Sequence, residues 1–124
     1  MTEPTFADGK ICYIQMPALD IRASAEFYRE VFNWNIRERG DGEVAFDDGE
    51  GEVSGVWETD RKAADDPGML ISIMVRDALA TAEAIIAAGG TIVDAPDPSQ
   101  SEVHGTFRDP AGNLLSIYEQ KGMA

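Results

Sequence analysis

The chain carries one histidine, His104, and one cysteine, Cys12. A nucleophile-and-base pair or a soft-metal site is ordinarily built from such side chains. One of each is too few for a zinc-type site, which usually takes several His or Cys. Nor do the two read as a catalytic couple: strand alternation sends Cys12 toward a helix-facing core, where a thiol acts as a small hydrophobe. The acidic run Asp47-Asp48-Gly49-Glu50-Gly51-Glu52 lacks the alternating spacing of a calcium loop and reads as a solvated turn. No Gly-x-Ser-x-Gly elbow and no glycine-rich phosphate loop is present. The other candidate contacts are aromatic and weakly polar side chains spread along the chain. Such a set suits a flat or partly apolar small molecule, if the chain brings it together.

The elements that must do so follow from the apolar pattern. Residues 11–16 form an apolar-rich run ending at Pro17 and read as a strand. Asp20 stands at a helix N-cap position, and Ile21, Ala25, Tyr28 and Phe32 follow at helical spacing, giving a helix over 21–33. Strands are expected over 35–39, 43–47 and 52–59, separated by Gly-rich turns. Residues 61–68 are polar and hold Pro67, the best linker candidate. The order then recurs: a strand over 69–75, a second cap at Asp77, a helix over 78–88 stopped by Gly89-Gly90, and strands over 91–95, 103–108 and 114–119.

The architecture is therefore strand-helix-strand-strand-strand, twice: an α+β fold of two βαβββ modules, one over about 10–59 and one over about 69–119, joined by a linker over 60–68. A shift of 57 places Tyr13 on Leu70 and Asp20 on Asp77. A shift of 61 places Phe46 on Phe107, Asp48 on Asp109, Gly51 on Gly112 and Trp57 on Tyr118, with no gap between Phe46 and Glu58.

Length and charge bound the rest. The 124 residues fit one domain, and the 44% hydrophobic share can bury a core. No apolar run approaches the ~18 residues a membrane span needs, and the N-terminus lacks a signal-peptide pattern. A lone cysteine allows no intrachain disulfide, so cytoplasmic residence is expected. With 10 basic against 23 acidic residues the net charge is −13, which repels phosphate backbones and anionic lipid. Neither nucleic acid nor a membrane is expected as a partner.

Three motifs now connect the chain to a known family. Asp20-Ile21-Arg22-Ala23-Ser24-Ala25-Glu26-Phe27-Tyr28 resembles the opening helix of vicinal oxygen chelate proteins, the glyoxalase/bleomycin resistance/dioxygenase superfamily. Val31-Phe32-Asn33-Trp34 resembles their helix end, with asparagine where glycine is usual. Phe107-Arg108-Asp109-Pro110-Ala111-Gly112-Asn113 resembles the hairpin before their last strand. The resemblance implies two βαβββ modules whose mixed sheet curls around a central cleft. It also implies a divalent metal in catalytic members, bound by His, Glu or Gln on the first and last strand of each module. At the matching positions this chain has Tyr13, Leu70 and Ser116, with Gly55 as the first-module counterpart of Ser116 by the repeat. Leu and Gly offer no side-chain donor, so no metal and no other cofactor is expected. Gln15, two residues along the strand from Tyr13, is the one alternative donor.

In that cleft, alternation groups Tyr13 with Gln15, Leu70 with Ser72 and Met74, Gly55 with Trp57, and Ser116 with Leu114 and Tyr118. His104 is expected at the cleft mouth. The expected function is metal-free binding of a small molecule, aromatic or cationic, with Trp57 and Tyr118 stacking from pseudo-symmetric strands. The alternatives are a metal-dependent lyase, isomerase or dioxygenase of the same superfamily, and a structural or regulatory dimeric subunit. A homodimer is expected in each case, since two modules leave an open sheet face or edge to cover.

Overall fold

Asp20 holds an extended backbone, and its carboxylate accepts the Ala23 N–H at 3.2 Å. That satisfies an orphan donor and starts helix α1 (Ile21–Phe32). The helix stops at Asn33, which adopts the left-handed conformation at φ 58°, a backbone that asparagine tolerates better than most residues. The chain then turns Trp34 back into the core, stacked on Tyr28 at 4.6 Å and on Phe46 at 4.6 Å.

The computed structural model describes residues 4–40 and 42–121. The chain divides into two units between Lys62 and Ala63. In the first, α1 follows β1 (Tyr13–Pro17) and precedes β2 (Asn35–Glu38), β3 (Val44–Asp47) and β4 (Ser54–Glu58). The sheet order is β1-β4-β3-β2, with β1 parallel to β4 and the other pairs antiparallel. Tyr28, Trp34, Phe46 and Trp57 are all buried and form one aromatic cluster.

The second unit repeats the plan with β5 (Ser72–Met74), α2 (Ala78–Ala87), β6 (Thr91–Asp94), β7 (Glu102–Arg108) and β8 (Leu114–Gln120), in the order β5-β8-β7-β6. Asp77 caps α2 by accepting from Ala80 N–H at 3.1 Å, and Glu119 Oε1 accepts the Ala78 N–H at 2.7 Å. Gly89 at φ 101° ends the helix, with Gly89 N–H bonded to Ile86 O and Gly90 N–H to Ile85 O. The core is aliphatic apart from Phe107: Ala78, Ala82 and Ile85 of α2 with Val103, Phe107, Leu115 and Ile117. The fold is thus α+β, two βαβββ modules each with a four-stranded mixed sheet. The first strand of the second module is shorter than the expected 69–75: its ladder with β8 runs over Ser72 to Met74, with Ile71 O and Val75 N–H bonded to β8 at its two ends. No helix of the described residues is long and apolar enough to cross a membrane.

The two β-hairpins correct the repeat alignment. In both, an aspartate opens the turn and a glycine closes its first bend: Gly51 N–H bonds to Asp48 O, and Gly112 N–H to Asp109 O. Next, Glu52 N–H reaches Asp48 Oδ1 and Asn113 N–H reaches Asp109 Oδ1. The first hairpin then holds one more residue, Val53, whose carbonyl accepts from Asp48 N–H where Asn113 O accepts from Asp109 N–H. The register shows the same step, with Phe46 facing Gly55 and Phe107 facing Leu115. The shift is 61 before the turn and 60 after it, so Val56 rather than Gly55 matches Ser116, and Glu58 rather than Trp57 matches Tyr118. A one-residue slip moves every side chain on a strand to the other face.

Candidate functional site

Each sheet has one face under its helix and an opposite, open face, exposed at Tyr13, Ser72, Met74 and His104 but buried at Val56 and Ser116 on the middle strands. In the first unit, Trp57 is paired in register with the buried Met16 and packs against Tyr28 of α1 at 6.0 Å and Phe46 at 4.7 Å. It is 3% exposed and lies on the helix side of the sheet. The expectation that Trp57 shares an open face with Tyr118 is therefore wrong, and the extra hairpin residue is the cause. Gly55 lies on the helix side as well, facing Phe46. Cys12 is also corrected: it is exposed, because it precedes the first paired residue of β1 and strand alternation does not reach it.

The open face of the first sheet carries Tyr13 and Gln15 on β1, Ser54, Val56 and Glu58 on β4, Asp47 on β3, and Asn35 and Arg37 on β2. Its polar groups bond to one another. Asp47 accepts from Arg37 Nε at 2.9 Å and Nη2 at 3.0 Å, from Asn35 Nδ2 at 3.0 Å and from Ser54 Oγ at 2.7 Å. Burial alone would raise the Asp47 pKa, but the hydrogen bonds from Arg37, Ser54 and Asn35 outweigh it and hold the carboxyl below its ordinary value. Gln15 Nε2 donates to Glu58 Oε1 at 2.8 Å, and Arg61 Nε donates to Glu58 Oε2 at 2.8 Å. The Gln15 hydrogen bond leads in lowering the Glu58 pKa; slight burial opposes it and Arg61 adds to it. Tyr13 is half exposed at the edge of this face.

The open face of the second sheet is different in kind. Register aligns Ser72, Ser116 and Thr106 in one row across β5, β8 and β7. The next row is Met74, Tyr118 and His104. The His104 and Tyr118 rings lie 5.2 Å apart, tilted by 51°. Tyr118 Oη donates to Glu102 Oε1 at 2.9 Å, and this bond leads in raising the tyrosine pKa. Ser116 is 2% exposed, its hydroxyl turned to Ile117 O at 3.3 Å. Met74 is exposed, and Leu70 is exposed in the segment before β5, outside the strand. The fold thus brings Ser72, Met74, His104, Ser116 and Tyr118 together on one face, places Tyr13 and Gln15 on the open face of the other sheet, and removes Trp57.

Sequence reasoning missed Glu58, Val56, Thr106 and Glu102. The signal for Glu58 was hairpin length: the turn from Asp48 to Ser54 is one residue longer than that from Asp109 to Leu114.

With the register corrected, the four positions expected to hold a divalent ion carry Tyr13, Val56, Leu70 and Ser116. A phenol, two hydrocarbons and a buried hydroxyl turned to a backbone carbonyl do not fit a hard cation. Gln15 and Glu58 add one amide and one carboxylate, the latter already held by Arg61. No three His, Cys, Asp or Glu side chains cluster to hold a metal among the described residues.

The family model described as the Glyoxalase/Bleomycin resistance protein/Dioxygenase superfamily matches residues 10–117. Among curated proteins, none matches the chain. Several solved structures share the fold. A hypothetical protein from S. aureus superposes with a TM-score of 0.72 at 17% identity, covering 92% of this chain and 95% of the other. A glyoxalase/bleomycin resistance protein/dioxygenase family enzyme from Burkholderia phytofirmans gives 0.71 at 20% identity, with 86% and 95% covered. The fosfomycin resistance protein FosX from Mesorhizobium loti gives 0.71 at 16% identity, with 94% and 96% covered.

Proposed function

This chain belongs to the glyoxalase/bleomycin resistance protein/dioxygenase superfamily, and we propose that it binds a small, partly apolar molecule on the open face of its second sheet, without a resident divalent metal. The observation that carries this reading is the row Met74, Tyr118 and His104, a thioether, a phenol and an imidazole in register on three neighbouring strands. The row beside it supplies the hydroxyls of Ser72 and Thr106, while Ser116 between them is buried. Apolar and aromatic side chains with a few placed polar groups are the usual lining of a small-molecule site. The first sheet is less suited, because Asp47 and Glu58 already spend their lone pairs on Arg37, Asn35, Ser54, Gln15 and Arg61. The metal-free part rests on the donor chemistry of Tyr13, Val56, Leu70 and Ser116. A neighbour in fold is named for fosfomycin resistance, a role toward a small molecule; this supports the reading by analogy of fold alone.

The reading extends to a homodimer. Leu79 and Ile86 are exposed on α2 at positions where α1 carries Arg22 and Arg29, so the outer face of α2 holds two apolar side chains around Glu83 where its counterpart holds two arginines around Glu26. Covering it would favour pairing of two copies.

The test is a fragment titration followed by amide NMR of the isotopically labelled chain. Aromatic fragments are expected to shift the resonances of Ser72, Met74, His104, Thr106, Ser116 and Tyr118. Perturbations confined to the first unit would overturn the assignment.

A further inference from the structure

We propose that the open face of the second sheet selects organic cations: a flat ring bearing a protonated or quaternary amine. The proposal rests on the site assignment above and narrows it to one charge class. The hydrogen bond from Tyr118 Oη to Glu102 Oε1, at 2.9 Å, sets a carboxylate at the edge of an aromatic ring. Donating to an anion makes the phenol more electron-rich, which strengthens its attraction for a cation over its face. Glu102 and His104 alternate on β7, so both lie on this face, and His104 sits 5.2 Å from the Tyr118 ring. Met74 flanks Tyr118 on the other side, exposed and polarisable. A ring can therefore lie across Met74, Tyr118 and His104 with its amine toward Glu102.

The surroundings favour the same sign. Residues 63–124 hold 9 acidic and 3 basic side chains, a net of 3 − 9 = −6. Two of the three cations are engaged elsewhere. Arg108 donates to Gly112 O at 2.8 Å and to Asp65 O at 2.6 Å, and the Lys121 ammonium is bonded to Pro98 O. A second carboxylate, Asp94, accepts from the Thr106 hydroxyl at 3.1 Å. An anionic ligand would meet the carboxylates of Glu102 and Asp94 on this face, against the third cation, Arg76, two residues beyond Met74.

The experiment titrates the full chain with three probes that share a phenyl ring: phenyltrimethylammonium, benzyl alcohol and benzoate. Phenyltrimethylammonium is expected to bind about tenfold more tightly than benzyl alcohol, equivalent to ~1.4 kcal/mol, and benzoate more weakly than either. Glu102→Gln should cut the preference for phenyltrimethylammonium over benzyl alcohol from about tenfold to about twofold or less. Equal binding of all three probes on the mapped face would overturn the cation preference and leave the site standing. A preference undiminished in Glu102→Gln would overturn the proposal as well. If no probe shifts Ser72, Met74, His104, Ser116 or Tyr118, the site itself fails and the preference with it.

Discussion

Gly55→Ala is the sharpest test of which face of β4 points where. Gly55 faces Phe46 across the β3–β4 ladder and Ile14 across the β1–β4 ladder. A Cβ at this position would lie 2.7 Å from Phe46 Cε2, and closer still to Phe46 Cζ and to the Ile14 carbonyl oxygen. Carbon atoms ordinarily meet at about 3.5–4.0 Å, so the ring would have to retreat by roughly 1 Å. It has nowhere to go, because Phe46 is fully buried, stacked on Trp34 and tilted against Trp57. The Ile14 oxygen is fixed by the strand itself. Overpacking of this kind costs about 3 kcal/mol or more when neighbours cannot yield. Against a total stability of about 5–15 kcal/mol, that corresponds to a fall in Tm on the order of 10 °C. Tryptophan fluorescence during urea or thermal unfolding is the assay. The chain has two tryptophans, Trp34 and Trp57, both in the first unit, so the signal reports that unit alone. A loss below ~0.5 kcal/mol, the range of an ordinary surface substitution, would place Gly55 on the open face. Trp57 would return there with it, and the hairpin argument would be refuted.

Three further outcomes are expected. The folded pKa of Asp47 is lowered from an ordinary 3.8, so its contribution to stability is present above that value and is lost as pH falls through the folded pKa. The gap in urea midpoint between wild type and Asp47→Asn should therefore shrink on acidification below 3.8, and a gap that stays constant from about pH 6 to about pH 2.5 would contradict the Arg37–Asp47 assignment. Elemental analysis of protein purified without chelator or a metal column should find only substoichiometric divalent metal; stoichiometric Ni, Zn, Fe or Mn would overturn the metal-free reading. Light scattering at tens of micromolar should report a dimer, and Leu79→Glu combined with Ile86→Glu should shift it toward monomer; a monomeric wild type would count against the pairing.

The elements were legible where the sequence carried signals at both ends. Asp20 and Asn33 bracket α1, and Asp77 and Gly89 bracket α2, so periodicity and capping agreed. The face of β4 was not legible from the strand itself. In Ser54-Gly55-Val56-Trp57-Glu58 both Val56 and Trp57 are buried, so apolar alternation does not choose between the two parities. The choice fell to the repeat, where matched aspartates and glycines on both turns concealed Val53. On β8, by contrast, Leu115 and Ile117 alternate with Ser116 and Tyr118, so the parity there rests on the strand's own pattern. Cys12 and Leu70 show a simpler limit, because both lie just outside paired strand and alternation has no meaning there.

The same extra residue explains why two copies of one module present unlike surfaces. With the hairpin offset applied, Glu58 takes the place of Tyr118, Val56 that of Ser116, and Asp47 that of Arg108. On the first sheet these substitutions leave a carboxylate beside Gln15 and another beside Arg37; Asp47 accepts four hydrogen bonds from adjacent strands, and Glu58 accepts two, from Gln15 and Arg61. A saturated polar lattice stiffens a sheet but has few lone pairs or protons to offer a ligand. On the second sheet the row of Met74, Tyr118 and His104 lies on β5, β8 and β7, and its middle residue, Tyr118, is tied to Glu102 by a hydrogen bond. The imidazole of His104 and the thioether of Met74 stay exposed. On the proposed function, divergence of the two faces divides the labour, with ion pairing on the first and ligand contact on the second. Placing a charged pair on the second face should test this division. Met74→Glu with His104→Arg would give it the cross-strand ion-pairing character of the first face. Fragment binding on that face should then fall by an order of magnitude or more, since each lost aromatic or sulfur contact is worth roughly 0.5–1.5 kcal/mol. Unchanged affinity in a folded variant would mean that the ligand is held elsewhere.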